Sequence, residues 1–248
     1  MTYCVALLLD QGMVFIADTR TNAGLDDVST FRKLNIIEKP GDRILALAAA
    51  GNLSMSQSVV SLIMEGIEDP ETGRVDRLEN APTLFKAVQF VGRAVRQVRA
   101  EYRPGLAEAD VRFNVSFLFG GQIGAEPMRL FMVYAAGNFI ECGQDAPFLQ
   151  IGEHKYGKPI LDRAVTYDMD LYDALKIGLI SIDSTMRSNL GVGLPVDLAV
   201  MRRDALATEV THRIEAGEIY FNDLRERWST ALRAAHMAIP RPPYGPKR

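Results

Sequence analysis

Two short apolar runs open the chain, residues 2–9 and 13–18, with Asp10-Gln11-Gly12 between them. Runs joined by so short a polar loop read as an antiparallel hairpin, which pairs their backbone groups with each other. Taken as a three-residue loop, the turn pairs Leu9 with Met13, Cys4 with Asp18 and Thr2 with Arg20. The Cys4–Asp18 and Thr2–Arg20 pairs share one face, because strand side chains alternate. Thr2 and Asp18 then become diagonal neighbours, roughly 7–8 Å apart and within reach of a third long side chain. A two-residue loop would slip the register and carry Asp18 to the other face.

A second hairpin follows. Residues 31–38 lead into Lys39-Pro40-Gly41-Asp42 and return through residues 44–50, turn residues set between apolar stretches. This pairing predicts Lys33 opposite Ala48, with its ammonium near the end of the returning strand and near Gly51. The stretch Ala48-Ala49-Ala50-Gly51-Asn52 runs from that strand into a predicted helix over residues 53–66. A turn-rich loop over residues 68–73 separates it from a second helix over residues 82–101. There Leu84, Val88, Val91, Val95, Val98 and Tyr102 recur at spacings of four and three, one apolar stripe. Strands are predicted at residues 113–120, 129–135 and 139–142. A helix over residues 170–186 carries Leu171, Leu175, Leu179, Ile182 and Met186 on one face, and strands at residues 196–202 and 208–214 complete the set.

Strands, two helices, strands, two helices, strands is the order expected of an α+β chain with two sheets packed together and helices outside, a four-layer αββα sandwich. Residues 2–215 read as that domain. Residues 216–248 read as a C-terminal helix and tail, part of the same domain or an extension between subunits. Ile219, Leu224, Trp228 and Leu232 are available for burial along the helix, and a proline-rich basic tail follows from residue 239.

Composition narrows the function classes. With 248 residues, 48% of them hydrophobic and 24% charged, the chain has the makeup of a globular domain with an extensive core. A net charge of −3 gives no reason to expect nucleic acid or membrane lipid as a partner. The apolar start is too short for a signal peptide and lacks a basic leading segment. Cys4 and Cys142 are far apart with no CxxC, as suits a reducing cytoplasm. No metal-ligand spacing appears among cysteines and histidines. His154, His212 and His236 read as structural or interface residues. Gly191-Val192-Gly193 does not lead from a strand into a helix as a phosphate loop does. No cofactor is expected.

The chemistry centres on Thr2. Threonine is small enough for methionine aminopeptidase to remove Met1, which would leave a free α-amine beside the residue's own hydroxyl. One residue then supplies nucleophile and base, the amine having an intrinsic pKa of about 7.7–8.0. Lys33, oriented by Asp18, would favour the alkoxide-like form of the hydroxyl, and the Gly51 amide at the strand-to-helix step could hold a developing oxyanion. Taken singly, Asp18 could be turn chemistry and Lys33 a snorkelling side chain. Together they point to an N-terminal-threonine amidohydrolase. Thr21, Asn35, Ala49 and Leu53 flank the nucleophile and would form a small, mostly uncharged pocket, favouring an apolar side chain on the acyl side of the cut bond.

Thr2, Ala17-Asp18-Thr19-Arg20-Thr21, Lys33 and Ala50-Gly51-Asn52 resemble the signature of proteasome β-subunits and bacterial HslV. Two later stretches, residues 149–161 and 186–195, resemble Anbu, the bacterial proteasome-like family called the ancestral β-subunit. The resemblance covers residues 2 to about 215 and implies a threonine peptidase of the N-terminal nucleophile fold. In it Thr2 is nucleophile, Asp18 and Lys33 tune it, and Gly51 belongs to the oxyanion hole. It also implies homo-oligomers, closed rings or open helical assemblies, and leaves room for an unfoldase or activator partner. The chain departs from the wider pattern at Gly152-Glu153-His154, where a glycine-serine-glycine turn is expected. Glu153, Asp183 and Ser188 are the nearest candidates to support the Thr2 amine. The competing reading is an assembly subunit that forms rings or helices as a scaffold, with weak or partner-gated catalysis.

Overall fold

The computed structural model describes residues 1–22, 28–69 and 71–244. The expected hairpins form β1 (Tyr3–Leu9) with β2 (Gly12–Asp18), and, after the short strands β3 (Arg20–Asn22) and β4 (Val28–Thr30), β5 (Leu34–Lys39) with β6 (Arg43–Gly51). Helix α1 (Leu53–Glu65) begins at once, capped by Asn52, whose side chain accepts the Met55 amide at 3.3 Å. A small hairpin, β7 (Ile67–Glu68) and β8 (Val75–Asp76), occupies the expected loop region, of which Pro70 lies outside the described residues. Helix α2 (Leu84–Glu108) starts at its cap Thr83 and continues well past the expected end, with Pro104 inside it. Its buried stripe stops at Val98, while Tyr102 turns outward to bond Ser58.

Strands β9 (Val115–Ile123), β10 (Arg129–Val133) and β11 (Phe139–Glu141) follow, then two elements absent from the sequence expectation, β12 (Phe148–Gly152) and α3 (Lys158–Ala164). Helix α4 (Leu171–Ser188), capped by Asp170, precedes β13 (Val196–Arg202), β14 (Thr208–Ile214) and α5 (Ile219–Ala238). The strands make two five-stranded sheets, ordered β12-β1-β2-β13-β14 and β11-β10-β9-β6-β5.

Alternation along the strands explains three buried clusters. Cys4, Ala6, Met13 and Phe15 of one sheet meet Ile44, Ala46, Ala48, Leu118 and Leu130 of the other. The opposite faces of β1 and β2, with Val5, Leu7 and Ile16, pack on Leu171, Leu179, Ile182 and Phe221 of α4 and α5. Leu45, Leu47, Phe117 and Phe119 pack on α1 and α2 through Met55, Val59, Val88 and Val95. Strand β1 is therefore buried on both faces, which is why its sequence is apolar without interruption. Each such aliphatic side chain contributes about 1.5–3 kcal/mol on burial.

The C-terminal helix departs from expectation. It buries Phe221 and Leu224 and half-buries Trp228, whereas Ile219 and Leu232 are exposed. Of the proline-rich tail, residues 245–248 lie outside the described residues. Among the described residues no helix is long and apolar enough to cross a membrane.

Candidate active site

The first hairpin turns over two residues, Asp10 and Gln11, so Leu9 pairs with Gly12 and Cys4 with Ala17. The expected register is wrong by one, and Asp18 does not lie opposite Cys4. The carboxylate reaches the site by another route. Its Oδ1 accepts the backbone N–H of Tyr3 at 3.0 Å, just past the last ladder pair. A residue at a strand end can turn its side chain to a backbone donor, and face alternation then no longer decides where it acts.

The second hairpin is also displaced by one. Lys39 belongs to the ladder opposite Arg43, leaving three residues in the turn, so Leu34 faces Ala48 and the Lys33 carbonyl accepts the Ala49 amide at 3.0 Å. Lys33 Nζ donates to Asp18 Oδ1 at 2.8 Å and to the Arg20 carbonyl at 2.6 Å. Lys33 is 5% exposed and Asp18 0%. Burial pushes the Asp18 carboxyl above its ordinary value, while the Lys33 ammonium and the Tyr3 amide pull it down. Asp18 Oδ2 has no hydrogen-bond partner, so the pairing is concentrated on one oxygen.

Thr2 is 8% exposed, and its carbonyl accepts the Glu153 amide at 2.7 Å. Strand β12 can come this close because Gly152, with φ +82°, has no Cβ. One added there would stand 2.0 Å from the Thr2 carbonyl oxygen. Thr2 and Gly51 line the same cleft, of about 800 Å3, together with Ala50, Asn114, Ser116, Gln150 and Glu153. Gly51 sits at the step from β6 to the capped start of α1 with φ +110°, and a Cβ there would lie 2.3 Å from the Asn114 carbonyl oxygen. Met1 occupies the same cleft and is largely exposed. While it is attached, the Thr2 nitrogen is a peptide nitrogen.

The remaining sequence candidates separate. Glu153 lines the cleft, its carboxylate accepting from Asn189 Nδ2 at 3.1 Å with Lys155 Nζ at 3.5 Å. Asp183 is buried elsewhere, bonded by Arg187 at 3.1 Å and Arg225 at 2.5 Å, and ties α4 to α5. Ser188 is exposed at the end of α4. Thr21, Asn35, Ala49 and Leu53 are not among the residues lining the cleft. Ala49 is buried in the core under α1 and α2, and Asn35 faces a separate cleft with Arg32 and Asp197. His154 lines the cleft, His212 lies 3.0 Å from Glu218, and His236 is exposed near the end of α5.

Other residues at the site carry no local signal in the sequence. The Tyr3 hydroxyl, one position from Thr2, bonds Ser181 Oγ at 2.6 Å and receives the Gln150 side-chain amide. This clamp joins β1, β12 and α4, segments brought together only by the tertiary fold. Met132 and Tyr134, on and just after β10, form another wall of the cleft. The ensemble holds a hydroxyl-bearing residue in an open cleft, with a buried cation–carboxylate pair bonded to the next peptide unit and a glycine at the cleft wall. Among the described residues, no group of three or more His, Cys, Asp or Glu side chains could hold a metal ion.

No protein-family model matches the chain, and no curated protein matches it. Solved structures do. The chain is 48% identical to Anbu from Hyphomicrobium sp. strain MC1, with a TM-score of 0.88 over 97% of this chain and 99% of that one. It is 44% identical to Anbu (ancestral β-subunit) from Yersinia bercovieri, with a TM-score of 0.89 over 98% of this chain and 100% of that one. It is also 44% identical to the protein in a helical assembly of the Anbu complex from Pseudomonas aeruginosa, with a TM-score of 0.89 over 98% of this chain and 99% of that one.

Proposed function

The chain belongs to the Anbu family of proteasome-like proteins, and on that premise we propose that it is a threonine-type amidohydrolase, a peptidase whose nucleophile is Thr2 after removal of Met1. The observation that carries this reading is the convergence on Asp18 Oδ1 of Lys33 Nζ and the Tyr3 amide, directly beside a threonine that shares a cleft with Gly51.

In this reading the Thr2 hydroxyl adds to the carbonyl of an amide while the freed α-amine takes its proton. Lys33, held by Asp18, stabilises the anionic oxygen of the nucleophile, and the Gly51 amide donates to the tetrahedral oxyanion. Collapse passes the proton to the leaving amine and leaves an ester on Thr2. Water, activated by the same amine, hydrolyses that ester. Glu153 is the candidate to orient the amine. The fold reading is a four-layer αββα sandwich of the N-terminal nucleophile type over residues 2–215, with residues 216–248 as helix and tail. The reduced thiols of Cys4 and Cys142 suit a cytoplasmic enzyme, and we read the working form as a homo-oligomer.

Intact mass of the purified protein, with and without an electrophile selective for N-terminal threonine, tests the reading. Loss of Met1 and an adduct absent from Thr2→Ala are expected; a processed wild-type chain that forms no adduct would refute it. A second reading, an assembly subunit acting mainly as a scaffold, is favoured by the helical assembly of the Pseudomonas aeruginosa protein and by the exposed apolar residues of α5. It predicts complete processing, ordered assemblies and no adduct.

A further inference from the structure

Away from the Thr2 cleft, a second hollow of about 710 Å3 lies between one face of α2, β8 with the turn that follows it, and the turn between β10 and β11. Its lining carries five cationic side chains, Arg74, Arg77, Lys86, Arg93 and Arg96, against one carboxylate, Asp76. On a chain whose net charge is −3, this is a local reversal of sign. Lys86, Arg93 and Arg96 lie toward one side of α2 because they are spaced by seven and three residues, about two turns and just under one. Asp76 is already engaged by Arg93 at 2.8 Å and by Arg74 at 3.8 Å. Among the described residues Arg77, Lys86 and Arg96 have no ion-pair partner. Arg93 Nε is buried with no hydrogen-bond acceptor, an unmet donor in the wall. Arg96 is fixed in place by donating to the Gly137 carbonyl at 3.0 Å. There α2 meets the turn so closely that a Cβ on Gly92 would stand 2.3 Å from the Gly137 oxygen.

We propose that this hollow binds a small molecule carrying two or more phosphate groups. Its size lies within the roughly 300–1,000 Å3 of small-molecule sites. Guanidinium groups match phosphate oxygens in pairs, and the unpaired cations around one hollow add their Coulomb attraction for an incoming anion. Five cations against a single carboxylate call for several negative charges in a small volume, as condensed phosphates provide. The site is separate from the Thr2 cleft, and the proposal does not depend on the catalytic reading.

Inorganic tripolyphosphate, titrated calorimetrically into the full chain at low and at physiological ionic strength, tests it. Saturable binding to one site per chain is expected, weakened at least about tenfold in Arg77→Gln/Lys86→Gln and unchanged in Arg233→Gln on α5. In the wild-type protein, tripolyphosphate should slow acetylation of Lys86 but not of Lys39, a readout that needs no variant to fold. No saturable binding, equal weakening in Arg233→Gln, unprotected Lys86, or tighter binding of a hexaglutamate peptide than of tripolyphosphate would each overturn the proposal.

Discussion

Replacing Lys33 with methionine keeps the apolar stem of the side chain and deletes its ammonium, which leaves Asp18 Oδ1 bonded to the Tyr3 amide alone. Both partners are buried, so the carboxylate cannot recover its lost partner from water. Breaking a buried pair in this way costs about 3–5 kcal/mol. For a chain of this size that corresponds to a fall in melting temperature of roughly 6–20 °C. The deficit carries a pH signature. Burial already raises the folded-state pKa of Asp18, and removing the cation that opposes the shift raises it further. A carboxyl with a raised folded pKa contributes stability that is intact below its unfolded pKa and lost as pH rises through the folded one. The Lys33→Met deficit is therefore largest at neutral pH and shrinks as pH falls toward about 4. Adding Asp18→Asn removes the stranded charge, so the double variant should melt above Lys33→Met at pH 7. Thermal melts by circular dichroism across that pH range decide the matter. A loss below about 1 kcal/mol that does not vary with pH would refute the reasoning, because it would mean that no buried charge had been left unpaired.

Gly51→Ala should destabilise the fold by about 1–3 kcal/mol from backbone strain alone and disturb the cleft, since its φ of +110° and the Asn114 carbonyl both exclude a Cβ; melts together with electrophile labelling measure the two effects. Asp183→Asn should loosen α5 by about 1–3 kcal/mol through its bonds to Arg187 and Arg225, seen as faster amide exchange along α5 with labelling of Thr2 retained. Burial, and then Glu141, pushes the Cys142 thiol up to about 12, and burial raises Cys4 further still. Iodoacetamide at pH 8 should therefore leave both thiols unmodified in the folded protein and modify both in urea.

The two errors of register show where sequence reasoning stops. Apolar runs and turn residues located both opening hairpins, but Gly12 and Lys39 can serve either as turn or as ladder, and a choice between them moves every partner by one. The sequence supplies Asp18 at the end of β2 and Lys33 just ahead of β5, and they meet for a reason that register could not supply, a carboxylate turned onto the Tyr3 amide at a strand end. Asp183 shows the opposite case. It is acidic, buried and near the end of α4, yet two arginines from α4 and α5 claim it. Strand β12 escapes sequence reading because Phe148–Gly152 is short and its alternation weak, although the Glu153 amide just after it holds the Thr2 carbonyl in place.

The order of the chain settled that strands with continuous apolar runs would be buried between layers, that α2 and α4 would each present one greasy stripe, and that a threonine would follow Met1. Those are local properties, written in composition and period. Which acid meets which amine, which residues wall the cleft, and where positive charge gathers into a hollow were decided only when distant segments packed, because contacts such as Tyr3 with Ser181 join residues 178 positions apart and depend on the placement of whole sheets and helices.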